Sequence, residues 1–209
     1  MRRWVWLAFA LAALPAVASP ARAARLPCTP PHARVVTANE RIAVYRVERR
    51  AFVCSFVTGH RRALGELGPD VSDGAGLGPF AVRGDMVAFG SVVATSTDET
   101  PAVIVYDARR ARIVVDVQAV PALGDEDPDR PFRFWDIGLT SGGAVAWIVR
   151  NTFAKPTRLE VYRAIGNHRV LLDAGPIAPR SLAIGARRAF WLRGDVARTC
   201  ELVEGAETT

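Results

Sequence analysis

Few residues in this chain have the types and spacing that chemistry requires, and none forms a catalytic set. The stretch Arg130-Pro131-Phe132-Arg133-Phe134-Trp135 interleaves cations with aromatic rings. Guanidinium and indole groups in that arrangement can stack on sugars, bases or a peptide partner. Strand alternation would put Phe132 and Phe134 on one side and Arg133 and Trp135 on the other, as in a half-buried strand. Arg130, Phe132, Arg133 and Trp135 are therefore the candidate binding residues, with core packing as the competing account. Just upstream, Asp125, Glu126, Asp127 and Asp129 could offer oxygen ligands to Ca²⁺. The loop lacks the glycine and distal Glu of a calcium loop, and Pro128 restricts it, so a solvated acidic loop is the better account. Asp70 and Asp73, set among glycines, make a weaker case.

Other reactive side chains are scattered. His32, His60 and His168 are widely spaced and form no metal-ligand pattern; the last two fall at hairpin turns. No Gly-x-Ser-x-Gly elbow, phosphate-binding loop or His-Glu-x-x-His motif occurs, and Ser181 has no local sign of activation. No catalytic residue, metal ligand or cofactor is expected from these motifs. Two carboxylates from distant segments can still meet in a folded protein, so a paired-carboxylate hydrolase stays open as an alternative. Arg83-Gly84-Asp85 and Arg193-Gly194-Asp195 spell the tripeptide that integrins read, but Gly-Asp is also a turn signal, and both copies flank a repeated strand.

That strand is the element which must position everything else. Gly143-Ala144-Val145-Ala146-Trp147-Ile148-Val149 is a short apolar run between Gly142 and Arg150-Asn151, and its β-branched content and flanking glycine favour a strand buried on both faces. Related runs occur at Ile42-Ala43-Val44-Tyr45, Met86-Val87-Ala88-Phe89 and Arg188-Ala189-Phe190-Trp191. Each ends on an aromatic, and these aromatics lie 44, 58 and 44 residues apart. A hairpin follows each of the first three: Phe52 to Phe56 with Arg61 to Leu64, Val103 to Tyr106 with Arg112 to Val115, and Leu159 to Arg163 with Arg169 to Leu172. Phe56, Tyr106 and Tyr162 would then share one repeat position. Turn-rich loops, 65–78 and 120–133, fall at unit boundaries. No linker separates two domains, and no segment after the N-terminal one keeps helical periodicity.

A strand of the form Gly-x-x-Val-Ala-aromatic followed by a Val-Tyr hairpin resembles the repeats of TolB-type β-propellers, and the blade-like repeats of secreted proteins from high-GC actinobacteria. The closing piece, Ser181 to Ile184 through Phe190-Trp191-Leu192-Arg193-Gly194 to Arg198, is similar to the C-terminal end of the latter. The resemblance covers about residues 34–203. It implies fold and carries no functional residue across. The expected architecture is all-β: a small propeller-like array of about four imperfect blades, each of three or four strands. A β-sandwich or an open repeat array is the alternative.

The N-terminus reads as a helical signal peptide over 1–23: Arg2-Arg3, the apolar Trp4 to Ala18, then Ala21-x-Ala23 as a cleavage site. Removal would take three arginines and no acid, lowering the net charge from +6 to +3 and leaving 24–209 as a single 186-residue domain. No later segment could span a membrane as a helix. Lys155 is the only lysine, and the arginines sit in ones and twos at turns without a basic stripe, which argues against nucleic acid as a partner. In an oxidising compartment, three cysteines imply one disulfide and one spare thiol. Cys54 and Cys200 would hold equivalent positions on the first and last units, too far apart to join. Cys28 with Cys54 is the expected bridge, tying the N-terminal arm to the first hairpin. The resulting expectation is a secreted, non-catalytic binding or scaffold module for a protein or glycan ligand; a glycan-active hydrolase using loop carboxylates is the alternative.

Overall fold

A computed structural model of the 209-residue chain describes residues 28–67, 76–94, 99–121, 132–154 and 156–203. The expected signal peptide, Asp70, Asp73, the acidic loop 125–129 and Arg130 lie outside the described residues. Fifteen strands make four successive antiparallel sheets. The first sheet holds β1 (Arg34–Ala38), β2 (Ile42–Val47), β3 (Arg50–Ser55) and β4 (Arg61–Glu66). The second holds β5 (Gly76–Arg83), β6 (Met86–Ala94), β7 (Glu99–Asp107) and β8 (Arg112–Gln118). The third holds β9 (Arg133–Leu139), β10 (Val145–Asn151), β11 (Arg158–Ile165) and β12 (His168–Gly175). The last has three: β13 (Ala183–Ile184), β14 (Arg188–Arg193) and β15 (Val196–Glu201). Within each sheet the strands are ordered as in the chain.

The expected propeller-like array of four imperfect blades is what forms. The four apolar runs fall in the second strand of each sheet, and the aromatics that end them, Tyr45, Phe89, Trp147 and Trp191, are all buried. In β10 every residue from Val145 to Val149 is buried because sheets cover both faces. Val145, Trp147 and Val149 pack with Val103, Val105 and Phe134 toward the second sheet. Ala146 and Ile148 pack with Ala189 and Trp191 toward the fourth. Trp147 stacks on Tyr162 with ring centroids 5.7 Å apart and donates its indole N–H to the Ala119 carbonyl at 3.0 Å. Burial on both faces is why these strands read as unbroken apolar runs rather than alternating ones.

The third-strand repeat position needs one correction. Phe56 lies beyond the end of β3, in the turn, and is not the counterpart of Tyr106 and Tyr162. A bulge recurs in the fourth strand of each four-stranded sheet, at Leu64, Val114 and Leu172, and the residue paired just after the shift in the third strand is Phe52, Tyr106 or Tyr162. Phe52 therefore holds the repeat position. Each bulged residue turns a partly buried apolar side chain onto a core cluster. An extra residue in one strand shifts the register by one, which residue counting alone does not reveal.

Neighbouring sheets meet largely through their first strands, β1 with β5, β5 with β9 and β9 with β13. Glycines permit the approach. A Cβ on Gly90 would lie 2.5 Å from Phe134 and 2.6 Å from the Gly78 carbonyl oxygen, and one on Gly138 would run into Ile184. Among the described residues, the substantial contacts between sheets join only neighbours in the chain.

The two ends of the array differ. Cys28 and Cys54 form the expected disulfide, with Cα atoms 6.2 Å apart. Cys54 pairs in register with Ala43, and Phe52 with Tyr45, so all lie on the first sheet's outward face, and the bridge brings the arm at 28–33 onto it. Cys200 pairs with Ala189, an equivalent place in the fourth sheet, and keeps a free, partly buried thiol. That last sheet packs Ala189 and Trp191 inward, but its outward face leaves Phe190 41% and Leu192 40% exposed.

Candidate functional site

The described part of the aromatic and cationic stretch singled out by sequence leads from Phe132 into β9, and the alternation expected there is present. Phe132 and Phe134 are buried toward the second sheet, their rings meeting edge to face at 5.1 Å. Arg133 and Trp135 turn the other way and are half-buried. Arg130 lies outside the described residues.

A β-bulge falls at Trp135. Arg133 pairs with Arg150 and Phe134 with Val149 across β9 and β10, then the register jumps so that Asp136 pairs with Ile148. Trp135 is the unpaired extra residue. Because a bulge offsets the alternation by one, Trp135 and Asp136 both face the fourth sheet's side. The bulge thus leaves Trp135 outside the ladder, on the face its alternation with Phe134 already gives it, and brings Asp136 to the same side, at the seam between the third and fourth sheets.

Two guanidinium groups stack on that indole. The Arg133 carbon Cζ lies 4.3 Å from the ring centroid and that of Arg150 lies 5.5 Å from it. The two arginines are cross-strand partners, so the ladder itself brings like charges together. Cross-strand like charges are unfavourable in isolation, and an indole face between or beside them offsets part of that repulsion. Neither arginine has a carboxylate within ion-pair distance among the described residues. The Trp135 indole N–H is buried and has no acceptor among the described residues.

Beside this cluster opens a groove of about 520 Å³, lined by Trp135, Arg150, Thr157, Arg158, Leu159 and Pro179 among others. The sequence reading missed Arg150 and Arg158. Arg150 had registered only as the polar end of an apolar run; its position opposite Arg133 follows from strand register, which no local motif encodes. Arg158 is neutralised by Glu160, Nε to Oε1 at 2.7 Å. Glu160 is fully buried and also accepts from Asn151 at 2.8 Å and from the Tyr162 hydroxyl at 2.6 Å. Burial, together with this hydrogen bond to a carboxylate, pushes the Tyr162 phenol well above its usual range.

The other carboxylates nearby are also engaged. Asp136 accepts from its neighbour Ile137 and from the Leu182 backbone N–H, each at 3.0 Å, linking β9 to the approach to β13. Burial raises its pKa above the ordinary 3.8, against the lowering effect of those two N–H donors and of Arg180. Asp173 takes the Trp191 indole N–H at 2.9 Å and pairs with Arg193 at 3.2 Å, joining β12 to β14. These acids hold the third and fourth sheets in place beside the groove.

The remaining sequence candidates do not converge on it. His32, His60 and His168 are exposed. Among the described residues no group of His, Cys, Asp and Glu could hold a metal ion. The two Arg-Gly-Asp tripeptides sit at different turns, β5 to β6 and β14 to β15, with Gly84 and Gly194 both at φ 56°, a left-handed conformation that glycine adopts without strain. A larger cavity of about 680 Å³ near Asp107, Arg110, Thr140 and Arg187 has no aromatic ring in its lining, and its one carboxylate, Asp107, pairs with Arg110 at 3.0 Å. No helix among the described residues is long and apolar enough to cross a membrane.

No protein-family model and no curated protein matches the chain. Solved structures do, among them the crystal structure of the GH74 xyloglucanase from Xanthomonas campestris, with a TM-score of 0.45 and 12% identity over 81% of this chain. The chain spans about a quarter of that protein's length, 26%.

Proposed function

We propose that the protein is an exported, non-catalytic binding module of the cell envelope or exterior, which holds a protein or glycan ligand in the groove at Trp135. The observation that carries this reading is the bulge that lifts Trp135 out of the β9 ladder, with Arg133 and Arg150 stacked on it at the edge of a groove. A partly exposed aromatic flanked by arginines has the composition of an interaction hot spot. Residues 1–23 would act as the secretory signal, leaving 24–209 as one domain whose repeats resemble those of TolB-type β-propellers and those of blade-repeat proteins secreted by high-GC actinobacteria. The Cys28–Cys54 bridge supports delivery to an oxidising compartment. Against the glycan-hydrolase alternative, the described carboxylates around the groove, Asp136, Glu160 and Asp173, are all engaged in contacts that hold the fold together.

The test is retention of wild type and Trp135→Ala on immobilised envelope glycans and peptides, with thermal melts run on both. Wild type should hold at least one ligand that the variant releases, with melting temperatures within a few degrees. Equal retention of every ligand by the variant would remove the groove from consideration.

A further inference from the structure

We infer that the cavity of about 680 Å³ near Asp107, Arg110, Thr140 and Arg187 is a second binding site, and that it takes a polyanion, a chain of linked oxyanion groups. The site is separate from the groove. Ala144, at the start of the run that forms β10, lines the cavity, and Arg150, near the strand's end, lines the groove, so roughly 20 Å of strand lies between them. Three sheets contribute to the cavity. The second gives Arg110 and Arg112, the fourth gives Arg187, and the third, which stands between them, gives its β9–β10 turn. Gly143 holds that turn at φ 88° close against the second sheet, where a Cβ would lie 3.2 Å from the Met86 sulfur.

Charge decides what fits. Among the described lining residues, three guanidinium groups stand against one carboxylate, and that carboxylate is already engaged. The buried Asp107 accepts the Arg109 and Arg110 backbone N–H groups with one oxygen, at 3.0 and 2.9 Å, and pairs with the Arg110 side chain through the other, at 3.0 Å. Arg112 stands opposite Asp107 in the β7–β8 ladder, yet neither it nor Arg187 has an ion pair among the described residues. The Thr140 hydroxyl donates to the Ala144 carbonyl and accepts the Ala144 N–H. The free side-chain groups of the lining are therefore cationic and only donate. A neutral sugar or a peptide would bring O–H or N–H protons with no free side-chain acceptor, and no ring is present for a sugar or base to stack on. The two uncompensated cations belong to different sheets, in a cavity with the volume of a sphere about 11 Å across. Linked anionic groups can meet both, and each oxyanion offers several acceptors to a guanidinium fork.

Calorimetric titration of the full chain with tripolyphosphate, tricarballylate and inorganic phosphate tests this. At least one of the two linked anions should bind about tenfold or more tightly than inorganic phosphate, the ratio expected from one further charge-assisted hydrogen bond, and the tighter of the two identifies the oxyanion. Its affinity should fall as salt is raised, since the arginines are exposed to screening. Arg112→Gln and Arg187→Gln should each weaken it about tenfold; two variants guard against one of them misfolding. Arg34→Gln, which removes the same charge from the first sheet, should leave it unchanged. Trp135→Ala should also leave it unchanged, so that the fate of the groove is read separately. Inorganic phosphate binding as tightly as the linked anions, equal weakening by Arg34→Gln, no effect of either cavity variant, or no binding of either linked anion would each overturn the inference.

Discussion

Removing the Trp147 side chain tests the repeat alignment and the packing together. The residue is fully buried between the second and third sheets, stacked on Tyr162 and bonded to the Ala119 carbonyl. A buried tryptophan hides roughly 150–250 Å², which at about 25 cal/mol per Å² is worth about 4–6 kcal/mol. Measured truncations of core aromatics run about 3–5 kcal/mol. Leaving the Ala119 carbonyl without its donor adds about 1 kcal/mol or more. Trp147→Ala should therefore lose about 4–6 kcal/mol, or roughly 10–20 °C in melting temperature for a chain of this size. Trp147→Phe keeps an aromatic ring for the stack but loses the donor and part of the buried volume, so it should lose about 1–3 kcal/mol. Urea unfolding followed by far-ultraviolet circular dichroism measures both, and Trp147→Phe stays readable if Trp147→Ala does not fold. A loss under about 1.5 kcal/mol for the alanine variant, or equal losses for the two, would refute the placement of Trp147 in a two-sided core.

Three further outcomes follow from the packing. Gly90→Ala drives a methyl group against Phe134 and the Gly78 carbonyl, and should destabilise by about 1–3 kcal/mol in the same unfolding assay; an unchanged midpoint would mean the second and third sheets are not in close contact there. Cys28→Ser opens a bridge spanning 26 residues, which the loop-entropy relation values at about 3.5 kcal/mol; wild-type and variant curves that coincide without reductant would show that the bridge does not form. Asp136 has a folded-state pKa above its unfolded one, so its contribution to stability is fully present below the unfolded pKa and is lost as pH rises through the folded value. The stability of wild type relative to Asp136→Asn should therefore fall as pH rises above the unfolded carboxyl value of about 4, and a difference that rises or stays level there would contradict the burial argument.

Much of the fold was legible because burial writes itself into composition. Tyr45, Phe89, Trp147 and Trp191 stood out as a series since each ends an apolar run and each is buried in the core. The disulfide was legible from position, with Cys54 and Cys200 at equivalent places on sheets far apart in the array. Register was not. The bulges at Leu64, Val114 and Leu172 leave no mark on residue type, so Phe56 was aligned where Phe52 belongs. The candidate site was half legible for the same reason. Phe132, Arg133, Phe134 and Trp135 sort onto two faces by simple alternation, but Arg150 joins them only through the β9–β10 pairing, and the bulge that leaves Trp135 unpaired and turns Asp136 beside it shows only in the register.

The unequal ends of the array bear on how the molecule comes apart. Each inner sheet is stabilised by a neighbour on both faces, as in a one-dimensional array in which stability is a sum over adjacent interfaces. Among the described residues, the first sheet has one neighbour in substantial contact and a covalent strap; the fourth has one such neighbour, three strands and an outward face carrying exposed Phe190 and Leu192. Opening the fourth sheet breaks a single interface, whereas opening the third breaks two. Local unfolding should accordingly begin at β13 to β15 and proceed inward, with amide exchange fastest there and slowest in β10, the strand sealed on both sides. The groove at Trp135 lies at the seam where that unravelling would first be felt, so a ligand seated in it would act as a clasp on the weakest joint of the array.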